Sequence, residues 1–304
     1  MTSSTLPATA VPAKTPERRP RVSPGARRFR RGLVKLPLNV LVAVILVITI
    51  YPLFWLVISS FKTNDEFING DAFALPSSIA WGNYVEAWTT GNMGQYLTNS
   101  ALAVFPALAL IIILGTAAGF ALEVMVWKGR NGVLLAFLVG IMVPGQMILL
   151  PLFTVYFQTG LSGTLWPLII TYTVMGLPLT VFLMAAYFRA IPREIFEAAT
   201  LDGSGMIRSF FSIGIPMMRN AIVTLALVQF FSIWNDLLIA LTFTTKSSLA
   251  TVQVGLLNFS DEYGSTQYGP LFAAISINVV GMLVLYLFLN KQIMAGLAAG
   301  AVKG

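Results

Sequence analysis

The sequence predicts an all-α membrane protein of six transmembrane helices with both termini in the cytoplasm. Three observations predict it. Hydrophobic residues make up 57% of the 304 and charged residues only 10%, a balance foreign to a single water-soluble core. Charge is missing from stretches long enough to cross a bilayer once or twice. When those stretches are threaded as six spans, the cations collect on one side.

The composition also excludes chemistry. With no Cys and no His, the chain has no thiolate nucleophile, imidazole base or Cys/His metal site, and no disulfide framework. No paired carboxylates lie inside a span, so an intramembrane enzyme has nothing to work with. No catalytic residue, metal or cofactor is expected. The net charge of +7 raises the question of nucleic acid, but its distribution answers otherwise. Nine of the nineteen Lys and Arg precede residue 38, so the partner indicated is membrane lipid.

Residues 1–37 mix Pro, Ser, Thr and Ala with clustered arginines, too polar and Pro-broken to pack a core. They read as a disordered basic tail drawn to anionic headgroups at about 1 kcal/mol per arginine. From Leu36 to Phe61 no charge occurs for 26 residues, more than the roughly 20 that span a bilayer. This is the first span, and its length and internal Pro52 and Trp55 argue against a cleaved signal. Residues 62–96, acidic and rich in turn formers, read as an external loop with Trp81, Tyr84 and Trp88 at the interface.

The second span covers about 97–126. It carries Gly115 and Gly119 four apart, which lets helices pack closely, and Glu123 near its inner end, within reach of the headgroups. Between Arg130 and Arg189 lie 58 residues without charge, about 87 Å as one helix, so two spans are required. These are 133–157, with Pro144-Gly145-Gln146 and Pro151, and 165–188, with Pro178. Their prolines predict bent or locally broken helices, which line a path or simply fit packing.

A polar interruption follows at 190–218. Pro192 at a helix start, Glu194 and Glu197 in the early turns and Gly203 with Gly205 as positive-φ stops predict a short helix. It rises only about 16 Å from Pro192 to Asp202, too short to cross a bilayer. Ala198, Ala199 and Gly203 leave one side bare, while Ile195 and Phe196 offer apolar anchors, a shape suited to a partner's groove. The fifth span is expected over 220–243. It contains Trp234-Asn235-Asp236, and an acid there is either a structural cap or a pathway group. An outer loop, 244–269, and a sixth span, 271–289, complete the body, with 292–304 as an inner tail. This threading places 17 of the 19 Lys and Arg inside, leaving Lys62 and Lys246 outside.

The run Glu197-Ala198-Ala199-Thr200-Leu201-Asp202-Gly203, followed by Ile213-Gly214-Ile215-Pro216, resembles the coupling loop of ABC-importer permeases. Val143-Pro144-Gly145-Gln146, Ile191-Pro192, Trp234-Asn235-Asp236, Thr251-Val252-Gln253-Val254-Gly255-Leu256 and the terminal Gly296-Leu297-Ala298-Ala299-Gly300-Ala301-Val302-Lys303-Gly304 look like its carbohydrate-uptake branch. The resemblance runs from about residue 40 to the end and departs at Ser204, where Ala is usual, and at Ile215, where Leu is usual. It implies the type I importer permease fold in a bacterial-type inner membrane. The partners it implies are two copies of an ATPase, a second, different permease, an extracytoplasmic solute-binding protein and a sugar substrate.

On that resemblance Glu197, Ala198, Ala199, Asp202, Gly203, Ile213 and Pro216 couple the chain to the ATPase. Gln146, Asn235 and Asp236 are the candidate pathway residues. Tyr172 and Asn278 suit sugars as well, unless these polar groups only satisfy interhelical hydrogen bonds. The chain contains no Gly-Lys pair and hence no phosphate-binding loop, so ATP hydrolysis belongs to another polypeptide. The alternative is an ion-coupled secondary transporter, which would place several ionisable groups at mid-membrane. Only Glu123 and Asp236 lie in spans, both toward the ends.

Overall fold

The computed structural model describes residues 24–71, 73–259 and 266–301, with side chains described over 37–71, 73–259 and 266–289. Every regular element among them is helical. The long helices are α1 (Pro24–Ser59), α4 (Met93–Glu123), α7 (Trp166–Arg189), α10 (Ile215–Trp234) and α13 (Tyr268–Ala301). Shorter ones are α2 (Asn64–Ile68), α3 (Gly82–Trp88), α5 (Arg130–Met142), α6 (Leu149–Gln158), α8 (Arg193–Leu201), α9 (Met206–Ser209), α11 (Leu238–Phe243) and α12 (Val252–Gly255). Five helical stretches are long and apolar enough to cross a membrane, and α5 with α6 makes a sixth span when the pair, bent by 90°, counts as one.

Two units are distinguished, residues 1–54 and residues 55–304. In the first, α1 begins at Pro24, well inside the segment expected to be a disordered tail. Proline is tolerated in a first turn, and the Arg and Lys that follow are good helix formers. The part of the expected tail before Pro24 lies outside the described residues, as do Val302, Lys303 and Gly304.

In the second unit α4 packs along α7, and glycine explains how closely. A Cβ on Gly115 would stand 2.5 Å from Thr180 Cγ2, and one on Gly119 would stand 2.6 Å from Met184 Cβ. The pair noted in the sequence is therefore the seam of the bundle. Around it, Ile111, Leu168, Tyr172, Phe230 and Ile233 form one buried cluster. A second, of Phe120, Met184, Phe188, Ile191, Phe196 and Leu225, lies toward the far end of α7.

The connections hold more order than the sequence reading assigned them. Thr63 and Glu66 form a reciprocal capping box on α2, and Glu66 also accepts from the Ser77 amide at 2.8 Å and hydroxyl at 2.6 Å. With the Ser77 pair and the amide and hydroxyl of Thr63 all donating to it, its carboxyl is held far below the ordinary range, at about 2. The Thr251–Leu256 motif straps α12 onto α4. Val252 N donates to Ser100 Oγ at 2.9 Å, Asn99 Nδ2 donates to the carbonyls of Ser248 and Ala250, and a side chain at Gly255 would strike the Tyr96 ring.

The structure sharpens the reading of two spans. The span through Pro178, expected to be bent or locally broken, is one continuous helix. Pro178 leaves the Val174 carbonyl, four residues back, without its usual amide, while the Gly176 carbonyl accepts from both Thr180 Oγ1 and Gln229 Nε2, which fastens the middle of this helix to α10. The fifth span is not 220–243. Its helix runs from Met206 to Trp234, through a π-helical turn at Phe210–Gly214, and stops at Asn235 before α11. The wide turn sits one step ahead of Pro216, where an α-helix would meet a missing N–H and a clash with the preceding turn. Glu123, expected within reach of the headgroups, meets Arg189 and Arg193.

Candidate functional site

Two places gather the sequence's candidates, one at the Arg189 end of α7 and one on its opposite half. The first is α8. Pro192, at φ −55° and ψ 130°, turns the chain into the helix, and Glu194 lies in the first turn, where the helix dipole favours an acid. The helix ends in a Schellman motif: Ser204 N donates to Ala199 O at 2.8 Å and Gly203 N to Thr200 O at 3.0 Å. Gly203 has φ +81°, a conformation that other residues adopt only with strain. Gly205, expected to share this role, has φ −69° and instead precedes α9.

One face of α8 is anchored. Phe196 is 6% exposed and meets the Phe120 ring edge-on at 5.6 Å, with Phe188 on the same ring at 5.4 Å. The other face is bare. Glu197, Ala198, Leu201, Asp202 and Gly203 are exposed and Ala199 half-buried, and Leu201 keeps 89% of its surface open, an unusual position for leucine. Of the remaining sequence candidates, Ile213 sits in the π turn, half-buried against the Phe196 cluster. Pro216, in the first turn of α10, is exposed. Both lie where this segment runs into α10, at the base of a span.

Behind α8 opens a cavity of about 500 Å³ lined by Glu123, Arg130, Arg193 and Glu197 among others. Glu123, whose side chain is 12% exposed, accepts from Arg189 at 2.9 Å and lies 4.0 Å from Arg193, the first residue of α8. Arg130 donates to the carbonyls of Glu123 and Met125, closing the end of α4. The sequence reading missed this cluster, although an acid and three arginines at helix ends were its available signal.

The second place is where two interrupted helices meet. The α5–α6 bend at Pro144-Gly145 and the α10–α11 break at Asn235–Leu237 both border a cavity of about 270 Å³ whose lining includes Gln146, Tyr172, Gln229, Ser232 and Asp236. Along α7 it lies between Tyr172 and Gly176, about 9 to 15 Å from the Trp166 end. Irregular backbone at such depth is tolerated where protein or a cavity satisfies it. Asp236 Oδ2 accepts from Tyr172 Oη at 3.0 Å, Ile239 N at 3.0 Å and Ala240 N at 3.2 Å. It thus caps α11 and ties it to α7, while standing in the cavity wall.

Of the three pathway candidates, Gln146 and Asp236 share this cavity and Asn235 does not. Asn235 Nδ2 returns to its own helix at Phe231 O. Asn278 accepts from Trp234 Nε1 at 3.0 Å, an interhelical bond between α13 and α10. Gln229 and Ser232 are additions; an uncharged amide inside an apolar span was the signal for Gln229.

Long apolar helices with a cavity where two interrupted ones meet are the architecture of a membrane transport protein. Residues 111–292 match the family of binding-protein-dependent transport system inner membrane components. The diacetylchitobiose uptake system permease protein NgcG of Streptomyces coelicolor is 33% identical over 258 residues, covering 84% of this chain and 85% of the relative. The melibiose/raffinose/stachyose import permease protein MelC of Bacillus subtilis is 30% identical over 269 residues, 88% of this chain and 96% of the relative. A solved bacterial ABC transporter involved in import of the acidic polysaccharide alginate superposes with TM-score 0.75 at 20% identity, over 90% of this chain and 99% of that one.

The chain belongs to this family: it is a multi-pass permease subunit of an ABC importer in the bacterial plasma membrane, and not an enzyme. Its family implies an ATPase and a substrate-binding protein as partners.

Proposed function

We propose that this permease imports a sugar or short oligosaccharide, forming the path with a second, different permease above a pair of ATPase subunits. The substrate class follows relatives named for diacetylchitobiose and for melibiose, raffinose and stachyose. In this reading both termini are cytoplasmic, residues 38–291 form the transport body and 190–218 the coupling loop.

The observation that carries the reading is α8, with Phe196 plugged into the bundle and Glu197, Ala198, Asp202 and Gly203 turned outward. A helix fixed on one side and bare on the other transmits a push. ATP-driven closure of the docked subunits moves α8, α8 moves the bundle, and the cavity faces alternate sides of the membrane. Ile213 and Pro216 contribute through the base of α10 rather than by docking. Gln146 and Asp236 line the path, and Asn235 lies beside it.

The test is uncoupling. In liposomes holding the complete importer, Gly203→Pro, which cannot adopt φ +81°, and Glu197→Lys should each insert normally and lower ATP-driven uptake at least tenfold. Uptake at the unaltered rate in both variants overturns the docking role.

A further inference from the structure

The cavity at the two helix breaks says more than that something passes. We propose that it is a subsite for one uncharged sugar ring and that Asp236 makes this subunit discriminate against anionic solutes; the inference rests on the cavity belonging to the solute path.

The argument begins with the carboxylate. All its hydrogen bonds, from Tyr172 and the amides of Ile239 and Ala240, go to Oδ2, and Oδ1 has none with the described residues. A phenol and two amides thus fix the position of the carboxylate without an ion pair. Its second oxygen remains an acceptor of fixed position.

Around it stand groups that match hydroxyls. Gln146 is exposed and makes no side-chain hydrogen bond with the described residues, so its amide offers both donors and an acceptor. Ser232, also exposed on the wall, adds a hydroxyl. Gly145 belongs to the same wall and lies against the end of the Met175 side chain, whose Cε a Cβ there would displace. Vicinal hydroxyls donate to a carboxylate oxygen and exchange bonds with an amide, which is how neutral sugars are held.

The selectivity follows from what is missing. Among the described residues no Lys or Arg lines this cavity; its ionisable side chains are Asp236 and Tyr172. A solute bearing a carboxylate or sulfate meets the Asp236 carboxylate with no cation on the wall to offset it, and like charges at close range repel. The volume of about 270 Å³ is at the small end for ligand pockets, so one ring of an oligosaccharide is read at a time.

The experiment uses the complete importer in liposomes with saturating binding protein, so that variant-to-wild-type ratios cancel the binding protein's own preference. The probes are a neutral disaccharide that the complex takes up and its uronic-acid counterpart. Asp236→Asn should raise KM for the neutral sugar at least tenfold with kcat within about twofold, and should cut the neutral-to-acidic uptake ratio at least tenfold. Since Asp236 also caps α11, Gln146→Arg provides a variant that leaves the cap alone: it should raise acidic uptake at least tenfold relative to neutral. An unchanged ratio in both variants, or a wild-type preference for the acidic sugar, overturns the subsite. The path itself is read separately. The chain has no cysteine, so Ser232→Cys can be labelled alone with a water-soluble thiol reagent. Labelling that transported sugar blocks, with an unchanged ratio, overturns only the subsite, whereas no labelling during turnover overturns the path reading beneath it.

Discussion

Glu123 and Asp236 are the two acids that the apolar stretches carry, and the structure holds them in opposite ways. Glu123 is held by arginine side chains that are themselves about two-thirds exposed, whereas Asp236 is held by two backbone amides and a phenol. Long exposed arginines re-form their bonds as the helices carrying them shift. Amides of a capped helix cannot. The first arrangement suits a joint between α8 and the bundle, the second a wall whose shape must persist while solute passes.

The comparison breaks hardest at the apolar half of the joint. Phe196→Ala empties a site that is 6% exposed, a change worth about 3–5 kcal/mol. Solute-stimulated ATP hydrolysis by the reconstituted importer should then lose its coupling to uptake while insertion persists. If uptake per ATP is unchanged, the ring does not fasten α8.

Tyr172→Phe sharpens the other half. It removes one of three bonds to Asp236 and leaves both amides, so the loss is about 1 kcal/mol. The melting temperature in detergent should fall by a few degrees. A collapse of the fold would mean that the phenol, not the amides, holds the wall.

Glu123→Gln comes next. Because its partners are solvent-exposed, it should cost about 0.2–1 kcal/mol at low salt and nothing measurable in molar salt. A loss that persists in high salt would make the joint as rigid as the wall.

Glu66 supplies the smallest effect. Its carboxyl is held at about 2, below the ordinary 4.5, by the Thr63 and Ser77 donors, so its contribution to the order of residues 63–77 is fully present above about pH 4.5. That contribution fades as pH falls toward 2. Amide exchange of Ser77 should stay slow at pH 4 and quicken near pH 2; in Glu66→Gln it should vary no further with this titration.

How much of this was written plainly in the chain varies by residue. The short helix α8 was legible because each of its marks is local: Pro192 starts it, Gly203 takes a positive φ, and small Ala198 stays exposed. The α5–α6 bend was legible for the same reason in Pro144-Gly145. What escaped depended on partners distant in sequence. Tyr172 and Asp236 are 64 residues apart, and nothing local announces that their side chains meet, so cap and pathway group stood as alternatives when Asp236 is a cap in a cavity wall. The π turn ahead of Pro216 and the continuity of the helix through Pro178 cannot be read from a proline alone. In the Trp-Asn-Asp run only the last residue lines the cavity, a distinction that the sequence does not carry. The Thr63-to-Glu66 capping box, by contrast, stood in the sequence and was readable.

One helix touches everything discussed. Tyr172, in the cavity wall, and Arg189, bonded to Glu123, both belong to α7, which runs without interruption between them, about 26 Å along its axis. Glycine-tight contact with α4 over its middle makes that stretch a strut with a fulcrum. A tilt of about 5° about that fulcrum moves the Tyr172 end, about 12 Å away, by about 1 Å, enough to stretch a hydrogen bond out of range.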